Sequence, residues 1–217
     1  MAVSTGVRTH RRREHVDLKK ALVSSEIKLF DKRANAHAVR LLPGAFYVTD
    51  AVDEMIVTVL GSCISACIRN PHNGYGGMNH FMLPESDSGD WNGVSAALRY
   101  GNYAMEALIN DVLRSGCARH DLEIKLFGGA NFTIGPAMVG EKNAQFVLRY
   151  LETDGLRVAA HDLGGQSGRR IHYFPATGKV ERMLLKRAGE IKLAAQEQRY
   201  GATLRNAPIE GDVDLFD

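Results

Sequence analysis

The sequence predicts a single layered α/β domain built on a mixed, hairpin-rich sheet. Three observations carry that prediction. Short β-branched runs are spread along the chain, two segments show three- and four-residue apolar periods, and several strand pairs are joined by turn clusters too short for a crossover helix. Such hairpin links speak against a purely parallel, doubly wound sheet.

In chain order, positions 1–35 read as a basic, disordered arm. Arg11, Arg12, Arg13, Lys19 and Lys20 crowd together there, with too few apolar groups to offset the entropy of ordering. The domain itself spans 36–190. Residues 56–60 are β-branched and bounded by Gly61, residues 63–68 alternate, and residues 77–83 form a third strand that stops at Pro84. Between the last two lies a run of turn formers at 70–75. Residues 96–115 predict a helix, because Ala97, Tyr100, Ala104, Leu108 and Val112 recur at helical spacing and Gly116 stands as its cap. Residues 122–127 predict a strand closed by Gly128-Gly129, and 141–151 a second helix with Phe146 and Tyr150 four apart. Residues 157–161 return as a strand, and 170–174 with 179–185 form a hairpin about Ala176-Thr177-Gly178. The remainder, 191–217, reads as a tail in which Leu193-Ala194-Ala195 extends a helix at most.

Bulk composition removes several function classes. With 27 basic and 25 acidic residues among 217, the net charge is only +2, so a surface given over to nucleic-acid phosphates is not expected. Three cysteines form no even disulfide framework and suit a reducing compartment. No apolar run reaches signal-peptide or membrane-span length, so the expectation is a cytoplasmic protein without a membrane span.

The chemistry concentrates at 58–84. A cysteine nucleophile needs a base, a steric opening and donors for an oxyanion. Gly61 and Ser62, just before Cys63, supply a sharp turn that frees backbone N–H groups and opens the approach. His80 follows on a strand expected to run back antiparallel. A loop centred between Pro71 and His72 sets His80 opposite Cys63, about 4.5–5.5 Å away between Cβ atoms. A tight Asn73-Gly74 turn would instead set it opposite Cys67. Cys63 is preferred, because Cys67 lies within an apolar strand with no glycine beside it, where a thiol acts as a small hydrophobe. No metal is expected: Cys63 and Cys67 would stand about 13 Å apart along a strand, too far for one ion. The Gly128-Gly129 and Gly164-Gly165 pairs fit no phosphate-loop spacing and read as turns. Cys117 with His120 reads as structural, and Trp91 as packing or as the rim of the site.

Seven motifs in register resemble the CheD family of chemoreceptor glutamine deamidases. They are Leu60-Gly-Ser-Cys-Ile-Ser-Ala-Cys-Ile68, Gly76-Gly-Met-Asn-His-Phe-Met-Leu-Pro84, Arg99-Tyr-Gly-Asn-Tyr-Ala-Met-Glu106, Lys125-Leu-Phe-Gly-Gly-Ala130, Gly140-Glu-Lys-Asn143, Asp162-Leu-Gly-Gly-Gln-Ser-Gly-Arg-Arg170 and Pro175-Ala-Thr-Gly178. The resemblance implies a three-layer α/β/α-type sandwich related to deamidating toxins, and hydrolysis of receptor glutamine side chains to glutamate without a cofactor. It implies Cys63 as nucleophile, His80 as its base and Thr58 as the group holding the imidazole. Asn79, Arg169 and Arg170 are candidate substrate contacts. The partners it implies are methyl-accepting chemotaxis receptors and a CheC-type phosphatase. The rivals are another cysteine hydrolase and a non-catalytic adaptor of the chemotaxis system.

Overall fold

A computed structural model of the chain describes residues 28–83, 91–131 and 138–206. The basic cluster at 11–20, residues 84–90 and residues beyond 206 lie outside the described residues, as does the side chain of Trp91.

Among the described residues, ten strands form two five-stranded sheets rather than one. The first sheet has the order β1 (Lys28–Asp31), β2 (Ala36–Arg40), β4 (Glu54–Leu60), β9 (Arg169–Phe174), β10 (Lys179–Leu184). The second has the order β3 (Phe46–Thr49), β6 (Gly76–Asn79), β5 (Ile64–Arg69), β7 (Glu123–Gly128), β8 (Val158–Leu163). Both are mixed: β2 runs parallel to β4 and β7 parallel to β8, while the other neighbours are antiparallel. The expected β9–β10 hairpin forms, with Phe174 paired to Lys179.

Alternation along β5 explains why two sheets stack. Ile64, Ala66 and Ile68 pack against α1 (Trp91–Leu113) and α2 (Val139–Thr153) through Met105, Leu108, Ile109, Val147 and Leu151. On the opposite face Cys63 and Cys67 join Ile56, Leu60, Ile171 and Tyr173 of the first sheet. Two-sided burial of this kind needs a layer on each face of the second sheet. The layers are therefore helix, sheet, sheet, which corrects the implied α/β/α order. As expected, Gly116 ends the α1 region in a left-handed conformation, φ +87°.

Two parts of the fold are not readable from local pattern. β1 lies within the stretch expected to be a disordered arm, and β2 begins where the domain was expected to begin but was not singled out as a strand. β1 is an edge strand whose Leu29 and Phe30 are 65% and 54% exposed, so it carries no buried alternation for a sequence to display. Residues 187–206, read mainly as tail, form α3 (Arg187–Asn206), which buries little beyond Leu193 and Glu197. A helix with so narrow a buried stripe leaves a weak periodic signal.

Candidate active site

The hairpin between β5 and β6 fixes where Cys63 and His80 stand. Asn70 and Tyr75 close the loop, with the Asn70 N–H donating to Tyr75 O at 2.8 Å. Inside it the side chains of Asn70 and Asn73 accept from the N–H groups of His72 and Tyr75, each at 3.0 Å, and Gly74 takes φ +78°. Such a loop sets Cys67 against Met78 and Ile64 against Phe81, a register between the two alternatives weighed above. His80 therefore faces neither cysteine directly. Continuing the pairing puts Cys63 opposite Met82 and His80 opposite Ser65, which makes Cys63 and His80 diagonal neighbours on one face. Diagonal residues of this kind remain within reach of long and ring side chains.

That face looks toward the first sheet, and Thr58 of β4 meets the imidazole there. Thr58 Oγ1 donates to Leu41 O at 2.9 Å and lies 2.8 Å from His80 Nδ1. A hydroxyl has one proton. Because Leu41 takes it, Thr58 accepts from Nδ1–H, and the lone pair is left on Nε2. This Nε2 is buried and has no hydrogen-bond partner among the described residues. Burial pushes the His80 pKa down to about 4, against a smaller upward pull from Glu197. The ring is thus a neutral, oriented acceptor.

The turn before Cys63 presents its backbone donors as expected, and a carboxylate from α3 fills them. Glu197 accepts from the N–H groups of Gly61 at 2.9 Å, Ser62 at 2.8 Å and Cys63 at 3.3 Å, and from Ser62 Oγ at 2.7 Å. Burial pushes the Cys63 thiol well above its ordinary pKa, and the charge of Glu197 pushes the same way. The steric opening expected at Gly61-Ser62 is closed: Cys63 is fully buried, and Tyr200 and Leu204 of α3 pack against its cluster.

Three expected substrate contacts separate on inspection. Asn79 points away from the cysteine face: its Oδ1 accepts from Ala66 N–H at 2.8 Å and its Nδ2 donates to Ala104 O at 2.9 Å, tying α1 to the sheet. Arg169 is buried, paired with the Asp162 carboxylate at 3.1 Å and bonded to the carbonyls of Asp162 and Gly164, so it shapes the loop after β8. Arg170 is exposed and borders a cavity of about 620 Å³ that Thr58, His80 and Glu197 also line.

Other residues hold the site without having been singled out for it. Gly128, read as a turn, approaches so closely that an added Cβ would lie 2.0 Å from Cys63 O at φ +113°. Gly129 N–H donates to that same carbonyl at 2.9 Å, and Ala130 N–H to Gly61 O at 2.7 Å. Buried Asn143 donates to Ser62 O at 2.8 Å and accepts from Leu83 N–H at 3.0 Å, linking the cysteine turn to the end of the histidine segment. All four residues stand in motifs already visible in the sequence. Glu197 stands in none.

The family described as CheD chemotactic sensory transduction matches residues 82–183. A Rhodopseudomonas palustris protein named "Probable chemoreceptor glutamine deamidase CheD" is 47% identical over 86% of this chain and 87% of its own. A protein of the same name from Hahella chejuensis is 50% identical over 82% of this chain and 84% of its own. One from Halorhodospira halophila is 46% identical over 87% of this chain and 89% of its own. Among solved structures, the Bacillus licheniformis hypothetical protein YfiH aligns with a TM-score of 0.33 and 12% identity, over 56% of this chain and 49% of that one. That likeness bears on neither fold nor function. The relatives decide the question, and the chain belongs to the CheD family.

Proposed function

We propose that this protein is a protein-glutamine deamidase acting on chemoreceptors, with Cys63 as nucleophile, His80 as general acid and base, and Thr58 as the residue that positions His80. One observation carries the reading. A backbone set of N–H donors at Gly61, Ser62 and Cys63 faces a carboxylate, while on the same face an oriented imidazole keeps an unpartnered Nε2.

In this reading the Cys63 sulfur attacks the carboxamide carbon of a glutamine side chain, and His80 Nε2 takes the thiol proton. The tetrahedral oxyanion rests on the N–H groups that Glu197 now occupies, where loss of one donor typically costs about 3–4 kcal/mol of transition-state stabilisation. The C–N bond then breaks, His80 returns the proton to the departing ammonia, and a thioester remains. Water attacks the thioester with His80 again as base, releasing glutamate and the free thiol. Every proton is passed by groups already in the site. The same acyl chemistry extends to a glutamyl methyl ester, whose leaving group is the better one.

The substrates in this reading are glutamines of the helical cytoplasmic region of methyl-accepting receptors, which places the enzyme in the cytoplasm. Conversion adds a negative charge and a methylation site to the receptor helix. A CheC-type phosphatase is the second partner that membership of the family supports. No helix among the described residues is long and apolar enough to cross a membrane.

Complete burial of Cys63 favours a second reading, a non-catalytic receptor adaptor with a structural thiol. Incubation with a receptor cytoplasmic fragment, followed by peptide mass spectrometry, separates the two. Wild type is expected to convert glutamine to glutamate and Cys63→Ala to lose conversion while keeping its fold. Equal conversion by both proteins sinks the enzymatic proposal, and none by either favours the adaptor.

A further inference from the structure

Glu197 is the feature that the catalytic reading does not use, although it makes more contacts with the Cys63 turn than any substrate contact considered above. It lies on α3, more than a hundred residues from that turn in sequence, and its carboxylate receives the N–H groups of Gly61, Ser62 and Cys63 together with Ser62 Oγ. Glutamate is also the product of glutamine deamidation. The side chain therefore brings into the donor set the functional group that the reaction would leave there.

We propose that α3 is a built-in occupant of the acyl site, with Glu197 held as an intramolecular product analogue that a substrate must displace. This inference rests on the deamidase reading for the word product, but the occupancy itself can be tested without any substrate. The face that α3 covers thus accepts a glutamate or glutamine side chain presented from a helix.

The remainder of α3 suits a removable cover. Its buried groups are few: Leu193 reaches toward Gly168, and Glu197 enters the donor set. Tyr200 meets Tyr100 of α1 hydroxyl to hydroxyl at 2.5 Å. Ile191 is exposed, and Gly189 and Gly201 each weaken helix propensity. A helix held by so little apolar burial belongs to the low-stability end of a fold, where local opening precedes global unfolding. While it is seated, its carboxylate and its bulk keep Cys63 protonated and out of reach. Displacement would expose the thiol and free the oxyanion donors in one movement.

The test uses the full chain and two substitutions. Iodoacetamide labelling of Cys63, read at the peptide level so that Cys67 and Cys117 are scored separately, is expected to speed up roughly tenfold or more in Glu197→Ala, because charge-assisted hydrogen bonds that favour the closed state are removed. Glu197→Gln supplies an isosteric control with a reactive amide in the acyl position. The introduced amide is expected to convert to glutamate on storage, and to persist in the Glu197→Gln, Cys63→Ala double variant. A purely structural Glu197 would instead give a lower Tm with no gain in Cys63 labelling, and that result overturns the proposal. So does an introduced amide that stays intact in a Glu197→Gln protein that deamidates a receptor fragment. If labelling rises while neither the introduced amide nor any receptor glutamine is converted, the cover stands and the deamidase reading fails.

Discussion

At the scale of single residues, the one hydroxyl proton of Thr58 settles the state of the site. Spent on Leu41 O, it obliges Thr58 to accept from His80 Nδ1–H and leaves the lone pair on Nε2, the atom that serves as base in the proposed mechanism. Removing the hydroxyl while keeping the shape, as in Thr58→Val, frees the ring to turn and leaves a buried carbonyl without a donor. We expect kcat to fall roughly a hundredfold with KM little changed, the cost of a misplaced catalytic group. Thr58→Ser should restore most of the loss, and steady-state kinetics on a receptor fragment reads both. A Thr58→Val enzyme with unaltered kcat would remove Thr58 from the mechanism. The turn at Gly61, Ser62 and Cys63 was legible because glycine before cysteine is a local signal. Glu197 was not, because its role exists only where α3 meets a turn 134 to 136 positions away.

At the scale of elements, the β5–β6 hairpin and the end of β7 set the cysteine turn between them. The two asparagines of the loop choose a register intermediate between the two that turn statistics offered, because Asn70 and Asn73 each cap a backbone N–H within it. Sequence could name the turn formers but not rank their competing loops. Gly128 is the counterpart on β7. Its left-handed φ and its approach to Cys63 O leave no room for a methyl group. Gly128→Ala is therefore expected to cost at least about 3 kcal/mol, through backbone strain and the displaced Cys63 turn together. Urea denaturation measures the loss. A change below about 1 kcal/mol would show that the turn shifts freely.

For the whole molecule, stacking two sheets buries a histidine that must stay neutral, and this ties folding to pH. Folded His80 holds off its proton until about pH 4, whereas an unfolded histidine binds one near 6.5. Between those values the unfolded chain carries more protons, so stability falls as the pH drops through the window and this contribution is flat above it. Urea midpoints at pH 7 and pH 5 should therefore separate more widely for wild type than for His80→Gln. Equal separations would mean that His80 is not the linked group. The same stacking explains what was missed at large scale. A short run of small and apolar residues, such as 64–68, announces a buried strand but not whether a helix or a second sheet covers each face.

The sequence by itself determined the strand and helix inventory of the central region, the Gly61-Ser62-Cys63 turn and membership of a family, because each rests on local periodicity or contiguous motifs. Tertiary structure alone decided that the sheet is two sheets, that Cys63 and His80 are diagonal rather than opposed, and that a carboxylate from the last helix closes the site. Those outcomes depend on contacts between distant segments, where free energy is gained only after the chain has folded and no short stretch of residues records it.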